Sequence, residues 1–233
     1  MTTKLWLKFK LLSEACFSRG DGVPGVVDIE VNHDRYGMPY LGGRTLKGLL
    51  HAEAAEILNA LSRVDQATAD QWAKATNRLF GQPGSRRDKQ GRLHIGNAQL
   101  PADLRSQIQH NYQLLDLHPH EVLETLTTVR RQTAVDSNPD SETAGAPLED
   151  TLRAVRVIVQ GTPFVAVLQL RGENESNKHQ DDLALLAACT KAFRRAGSNK
   201  TRGYGRLEAN LHETLEGEAV TDDYFDRFKE SLQ

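Results

Sequence analysis

Residues 19–48 read RGDGVPGVVDIEVNHDRYGMPYLGGRTLKG, and the rest of the chain is arranged around them. Glycines, three aspartates and the turn GGRTLKG at 42–48 come just before an amphipathic helical pattern. Glycine lets a backbone approach a ligand closely, and the N–H groups at a helix N-terminus favour bound phosphate. The pattern predicts a phosphate-binding site whose donors are Arg44, Thr45 and Lys47.

The turn at 42–48 does not have the order of a Walker A loop. In that loop a lysine follows the last glycine directly, whereas here Lys47 precedes Gly48. A nucleoside triphosphate site is therefore not predicted. On so short a pattern, an ordinary strand-to-helix turn is the alternative, and the turn alone leaves it open.

The composition is that of a single globular domain. Hydrophobic residues make up 39% and charged residues 26% of the 233 residues, which argues against a disordered or fibrous chain. With a formal net charge of −2, nucleic-acid contacts have to come from local clusters of Arg and Lys. Cys16 and Cys189 lack CxxC spacing, so we expect buried thiols in a reducing compartment. No signal peptide or long apolar run is found, and the expected location is cytoplasmic.

Hydrophobic periodicity predicts alternating strands and helices. Residues 4–12 alternate apolar and polar side chains, as a strand with one buried face does. Further strands are expected at 93–98, 155–159, 164–170 and 207–211. Helices are expected at 45–63, 68–80 and 182–195, a short helix or turn at 101–109, and a short closing helix near the C-terminus. The second of these helices is expected to open with a capping box of Thr68 and Gln71 and to stop at Gly81.

The order strand, helix, strand, strand, helix, strand predicts an α+β protein with a ferredoxin-like βαββαβ core. Insertions fall after the first helix and between the central strands. A second glycine-rich basic loop, GSNKTRGYGR at 197–206, precedes the last strand. In this topology the loops after the first strand and before the last strand lie near each other. We therefore expect the turn at 42–48 to face Lys200, Arg202 and Tyr204.

The sequence of residues 125–156 predicts a long, projecting β-hairpin or ordered loop. Two arms rich in threonine and arginine flank the tip SNPDSETAGAP, which is longer than the usual hairpin loop of about 2–5 residues. The arms carry four arginines, more than a purely structural hairpin needs, at positions 130, 131, 153 and 156. A hairpin whose charges simply face water is the alternative.

Several short motifs follow one another along almost the whole chain. They are Gly20-Asp21-Gly22, Asp28 six positions before Asp34, PYLGGRTLKG at 39–48, LFG at 79–81, GRL at 91–93, RRQTAVD at 130–136 and RGYGR at 202–206. Together they resemble the RAMP superfamily of CRISPR proteins. More narrowly, they are similar to the backbone subunits of type III effector complexes, and within these to the type III-D branch.

The resemblance implies a ferredoxin-like palm related to the RNA-recognition fold, with inserted helices and a projecting thumb hairpin. In this family the thumb kinks the duplex of guide and target RNA at regular intervals. The implied division of the single domain is a palm at 1–63 and 155–212, a helical insertion at 64–124, a thumb hairpin at 125–154 and a C-terminal tail at 213–233.

The implied function is guide RNA binding within a type III effector complex that acts in antiviral defence. The expected partners are CRISPR guide RNA, target RNA, other RAMP subunits and the large subunit of the complex, with no membrane. Cations, hydroxyls and backbone N–H groups read the RNA backbone rather than its sequence, which suits a subunit that accepts any guide. The expected RNA-binding residues are Arg44, Thr45, Lys47, Arg130, Arg131, Thr133, Ser198, Lys200, Arg202 and Tyr204.

Cleaving members of the family use one aspartate in the loop after the first strand, and the matching residue here is Asp28. The resemblance implies that Asp28 acts in catalysis and binds Mg²⁺ or another divalent cation, and that cleavage leaves 2′,3′-cyclic phosphate ends. Ile29 and Glu30 depart from the small residue and proline of many relatives. Asp21 and Asp34 therefore stay as lesser candidates, and a loop carboxylate that caps a turn is the structural alternative for Asp28.

Two other functions stay open. A purely structural RAMP subunit binds RNA without cutting it. A guide-processing endoribonuclease of the same superfamily uses histidine with lysine or tyrosine for acid–base chemistry that needs no metal. Only His33 lies within residues 19–48, which makes this second alternative the weaker one.

Overall fold

A four-stranded sheet forms the centre of the computed structural model, which describes residues 2–82, 84, 89–133, 138, 145–146, 151–172 and 177–232. Its strands are β1 (Thr2–Leu11), β2 (Leu93–Ile95), β5 (Pro163–Arg171) and β6 (Leu207–His212). Their spatial order is β2-β5-β1-β6, and all neighbours are antiparallel. The crossover helices are α1 (Gly43–Ser62) and α5 (Asn177–Ala192). This is the ferredoxin-like order, so the predicted α+β class is confirmed.

The alternation in β1 decides which face of the sheet is buried. Leu5, Leu7 and Phe9 are at most 3% exposed, while Trp6 and Lys8 on the opposite face are partly exposed. Phe9 stacks on Phe164, its cross-strand partner in β5, with ring centroids 5.2 Å apart. Such aromatic pairs stabilise neighbouring strands beyond the apolar area that they bury.

The helices α1 and α5 cover the buried face of the sheet. In α1 the buried side chains Leu46, Leu50 and Ala54 are four residues apart and lie on one stripe. In α5 every residue from Leu183 to Thr190 is buried, because this helix also contacts α1, α6 (Thr221–Glu230) and α2 (Gln66–Phe80). The predicted closing helix is confirmed as α6.

The start of α2 differs from the prediction. Asp65 is the N-cap, and its carboxylate accepts hydrogen bonds from the backbone N–H groups of Ala67 and Thr68. The predicted capping box of Thr68 and Gln71 is therefore wrong, because a better acceptor lies three residues earlier. The helix ends at Phe80, as predicted from Gly81.

A second, two-stranded sheet follows α3 (Ala102–Leu114) and α4 (Pro119–Leu126). It consists of β3 (Thr127–Gln132) and β4 (Arg153–Ile158), paired antiparallel, which confirms the predicted hairpin. Most of the connecting residues, 134–137, 139–144 and 147–150, lie outside the described residues. The strand expected at 155–159 thus pairs with β3 rather than within the central sheet. The division into palm, insertion, thumb and tail stays a prediction.

One buried carboxylate joins three parts of the core. Asp182 of α5 has a fully buried side chain and pairs with Arg78 of α2 at 2.9 Å and with Arg92 before β2 at 3.1 Å. Burial raises the pKa of Asp182, and the two guanidinium groups oppose that rise. Since the carboxylate is desolvated and paired on both oxygens, loss of either arginine would leave part of a buried charge uncompensated, so the pairs tie α2 and the segment before β2 to α5.

Cys16 and Cys189 are both buried, as expected from the sequence. Burial raises the pKa of the Cys16 thiol to about 11. None of the helices in the described part of the chain has the length and apolar character needed to cross a bilayer.

Candidate functional site

The loop after β1 runs along the hairpin. The N–H of Asp28 donates to the carbonyl of Ala154 at 2.8 Å, and the N–H of Arg156 donates to the carbonyl of Ile29 at 3.0 Å. Ile29 and Val155 form a parallel bridge. Residues 28–30 therefore lie alongside β4 through one parallel bridge, and Asp28 lies where β4 begins.

The carboxylate of Asp28 is exposed and makes one hydrogen bond from a backbone group of the hairpin. Its Oδ2 accepts the N–H of Ala154 at 2.6 Å. Among the described residues, nothing donates to its Oδ1. The carboxylate is thus oriented by the hairpin and keeps one oxygen directed away from that contact.

The two lesser carboxylate candidates are engaged locally. The Nε of Arg19 donates to Asp21 Oδ1 at 2.5 Å. The Oδ1 of Asp34 accepts the N–H groups of Tyr36 and Met38 at 2.9 and 3.1 Å, which caps a turn. Of the three aspartates in residues 19–48, Asp28 is therefore the one whose carboxylate contacts the hairpin.

A buried ion pair lies beside Asp28. The Nε of Arg156 donates to Glu30 Oε2 at 3.0 Å, and the side chains are 6% and 2% exposed. Glu30 Oε1 also accepts the N–H of Val31 at 2.8 Å, and an η-nitrogen of Arg156 donates to Thr127 Oγ1 at 3.3 Å. Of the four hairpin arginines predicted to exceed what a structural hairpin needs, Arg156 has a structural contact, because its guanidinium is buried and paired with Glu30.

The glycine-rich basic loop before β6 contacts the end of β3. Arg202 donates from its guanidinium to Gln132 Oε1 at 3.2 Å, and the amide of Gln132 donates to the hydroxyl of Tyr204 at 3.1 Å. The N–H of Ser198 donates to the carbonyl of Cys16 at 2.8 Å. The expected meeting of the loops after β1 and before β6 is confirmed through this Cys16 contact.

The hairpin end and this loop together form one cationic surface, which we call the basic surface. Four of the predicted RNA-binding residues belong to it, and all four are exposed: Arg130, Arg131, Lys200 and Arg202. Arg130 makes a two-point pair with Glu14, and the hydrogen bond to Glu14 raises the pKa of Arg130 further above its ordinary value. Thr133, at the edge of the surface, is exposed and lies 2.9 Å from the hydroxyl of Thr151.

Three further arginines extend the basic surface along a groove of about 730 Å³ between the end of α5 and β6. They are Arg194, Arg195 and Arg206, all exposed. The sequence interpretation placed the first two in the last turn of a helix, where cations favour the helix dipole. The helix ends at Ala192, so both lie beyond it. The repeated arginines on either side of the glycine-rich loop were the available signal.

The turn at 42–48 has a different environment. The helix α1 begins at Gly43, whose N–H donates to Asn97 Oδ1 at 2.8 Å. A Cβ at Gly43 would lie 2.3 Å from the carbonyl oxygen of Ile95, so this glycine serves close packing against the end of β2. The ammonium of Lys47 donates to the carbonyl of Leu93 at 3.0 Å, and burial lowers the pKa of Lys47.

The turn at 42–48 and the loop at 198–206 are not joined by a hydrogen bond or ion pair among the described residues. Lys47 is directed to β2 at one edge of the sheet, whereas the loop precedes β6 at the other edge. The expectation that Lys47 faces the loop is therefore wrong, because the ammonium finds a buried carbonyl instead. Arg44 and Thr45 are exposed at the start of α1.

The donor set near Asp28 is sparse for a metal ion. In the part of the chain that the structure describes, no cluster of three or more His, Cys, Asp or Glu residues is placed to hold one. Mg²⁺ retains several waters and is commonly held by one or two carboxylates together with substrate phosphates. The single exposed carboxylate of Asp28 fits that mode of binding and does not fit a dedicated protein cage.

Residues 8–208 match the model of the RAMP superfamily. The chain belongs to the RAMP superfamily. Residues 8–208 begin within β1 and end within β6, and they include Asp28, the hairpin and the basic loop, so the match covers the candidate site.

Solved structures share the fold of this RAMP protein. A chain of the type III-B Cmr-beta complex bound to cognate target RNA, solved by cryo-electron microscopy, is 12% identical with a TM-score of 0.58, over 95% of this chain and 98% of that chain. A chain of the apo type III-B Cmr-beta complex is 13% identical with a TM-score of 0.56, over 89% of this chain and 96% of that chain. No curated protein sequence matches the chain.

Proposed function

We propose that this RAMP protein is a guide RNA-binding backbone subunit of a type III CRISPR effector complex that cleaves the paired target RNA with Asp28. The observation that carries the proposal is that the basic surface and the Asp28 carboxylate are both built against the same hairpin. Its partners are then the guide RNA, the target RNA, other RAMP subunits and the large subunit. Within type III, the sequence motifs favour the III-D branch.

The guide RNA contacts follow from the charges that are free to meet phosphate. Arg131, Lys200 and Arg202 are exposed on the basic surface, and Arg202 is already oriented by its contact with Gln132. Such contacts bind the RNA backbone without reading its sequence, which leaves target choice to base pairing. Arg44 and Thr45 add donors at the N-terminus of α1, while Lys47 holds β2.

The proposed cleavage is attack by a target 2′-hydroxyl on the adjacent phosphorus. The new O2′–P bond forms as the P–O5′ bond breaks and O5′ takes a proton from water, which gives a 2′,3′-cyclic phosphate and a 5′-hydroxyl. The free oxygen of Asp28 accepts the hydrogen bond of the 2′-hydroxyl and favours loss of its proton. Asp28 is the residue that would hold a divalent cation, and such a cation would supply charge stabilisation at the phosphate. Alignment by the hairpin contributes the remainder.

The proposal is tested by Asp28→Ala in the assembled complex, with labelled target RNA and Mg²⁺. We expect cleavage at this subunit's position to fall by about 10²–10⁴-fold, as for loss of a general base, while guide and target binding are retained. Asp34→Asn is the matched control, because that carboxylate caps a turn in the same loop. Cleavage by the Asp28 variant at the wild-type rate contradicts the catalytic assignment.

The non-catalytic alternative is favoured by one specific observation. Asp28 Oδ2 already accepts a backbone N–H, which is the contact a purely structural loop carboxylate makes. On this alternative the protein binds RNA as a scaffold only. Wild-type complex that leaves the target intact at this subunit's position, with full guide and target binding, selects it.

A further inference from the structure

The Glu30–Arg156 pair is unusual because burying its two charges costs desolvation free energy. Both side chains are almost fully buried, and each brings a formal charge out of water. A buried pair of this kind gives little or no net stability compared with apolar residues of similar size. Because the pair adds little stability, the alternative is a role in the geometry of the exposed loop beside it.

The Glu30–Arg156 pair and the Asp28–Ala154 hydrogen bond are successive contacts between the same loop and β4. Asp28 and Glu30 are two residues apart in the loop, on either side of the Ile29–Val155 bridge, and Ala154 and Arg156 are two residues apart on β4. In the first contact the Asp28 carboxylate accepts the N–H of Ala154, and in the second the Glu30 carboxylate accepts from the guanidinium of Arg156. Between these two contacts, the backbone N–H of Arg156 donates to the carbonyl of Ile29.

If residues 28–30 shifted by one residue along β4, the side chains on the two faces of this loop segment would change places. Because side chains alternate between faces, Ile29 would then take the place of Glu30 beside Arg156. The guanidinium would be left buried without its carboxylate, at a large cost. The pair therefore makes only one register favourable.

We infer that the Glu30–Arg156 pair fixes the register of the loop on β4 and thereby positions the Asp28 carboxylate relative to the hairpin. The inference rests on the proposed function, since it makes both residues positioning residues for target cleavage. Glu30 and Arg156 do not touch the RNA in this account. Their effect on the reaction passes through Asp28.

The test compares wild type with the double variant Glu30→Met/Arg156→Met. The double variant removes both charges together and keeps side-chain volume, so it folds without an unpaired buried charge. Asp182→Asn is the matched control, since it disturbs a buried ion pair on α5, away from the hairpin. Guide affinity, target affinity and single-turnover cleavage at saturating target are measured in the assembled complex.

We expect the double variant to bind guide and target as wild type does and to cleave on the order of 10²-fold more slowly, because small misplacements of a catalytic group have effects of that size. The Asp182→Asn control is expected to cleave at the wild-type rate once folded. Wild-type cleavage by the double variant overturns the inference. Equal loss of cleavage in the control also overturns it, since stability alone then explains the effect.

Hydrogen exchange of residues 153–157 separates this inference from the proposed function. The N–H of Ala154 is held by Asp28 Oδ2, so a loosened register is expected to speed its exchange in the double variant. If exchange there is unchanged, the register role fails whatever the cleavage assay shows. If Asp28→Ala cleaves normally, the proposed function fails, and a positioning role in cleavage fails with it.

Discussion

Two glycine-rich basic turns of this protein look alike in sequence and differ in what surrounds them. The turn at 42–48 is fastened to β2, with the Lys47 ammonium on the carbonyl of Leu93 and Gly43 packed against Ile95. The loop at 198–206 meets the hairpin end and leaves its cations exposed. The same residue types therefore serve packing in one turn and are available to a ligand in the other.

The two turns are expected to differ most in how much unfolding free energy is lost when a glycine is replaced by alanine. Gly43→Ala forces a Cβ to within 2.3 Å of a backbone oxygen, so we expect a loss of about 2–3 kcal/mol or more of unfolding free energy. Gly203→Ala meets nothing within 4 Å and costs only the strain of a φ of +88°, about 1 kcal/mol. Urea denaturation of both variants measures the contrast. Equal losses would show that the turn at 42–48 is not a packing element.

The next effect is on guide RNA binding by the full-length protein. Lys200→Ala/Arg202→Ala removes two exposed cations, and each lost phosphate contact on single-stranded RNA is expected to lower the salt slope by about 0.7. The slope should therefore fall by about 1.4 with unfolding free energy unchanged. An unaltered salt slope would show that the loop at 198–206 does not contact the guide RNA phosphates. Arg44→Ala, at the exposed start of α1, is expected to lower the slope by about half as much.

A smaller effect is expected for Lys47→Met. The variant loses a partly buried hydrogen bond to Leu93 and should be destabilised by about 1 kcal/mol in urea denaturation. Its salt slope for guide RNA should stay near that of wild type, because this ammonium is directed to β2. A slope change as large as that of Arg44→Ala would return Lys47 to the phosphate-binding set.

The smallest effect is the pH dependence of Lys47. Burial places its folded pKa below the unfolded value of about 10.4, so the unfolded chain binds more protons between the two. The penalty for the buried charge is fully present below the folded pKa and is relieved as pH rises toward 10.4. Wild type should therefore gain stability relative to Lys47→Met as the pH rises through the folded pKa of Lys47 toward about 10.4. A constant difference would contradict this desolvation.

The sequence predicted the fold well because the fold depends on local periodicity. The alternation in β1, the stripe of α1 and the hairpin arms each appear in a short window of sequence. The start of α2 was misplaced by a few residues because Asp65 and Thr68 are both good N-cap residues. Boundaries of this kind depend on a single hydrogen bond.

The site was predicted only in part because its contacts join distant residues. Glu30 and Arg156 are 126 positions apart, and no local pattern marks either as the partner of the other. Lys47 binds a main-chain carbonyl, which leaves no signature in the side chains of its partner strand. The loop at 198–206 was found because arginine, lysine and glycine are concentrated within it.

The central claim is that the guide RNA lies on the basic surface at the end of β3. It is tested most directly by a cryo-electron microscopy structure of the assembled complex with guide RNA. We predict guide phosphate oxygens within about 4 Å of the Lys200 ammonium and the Arg202 guanidinium, the distance of an ion pair. Guide RNA that instead runs over Trp6 and Lys8 on the open face of the sheet, away from the loop at 198–206, would contradict it.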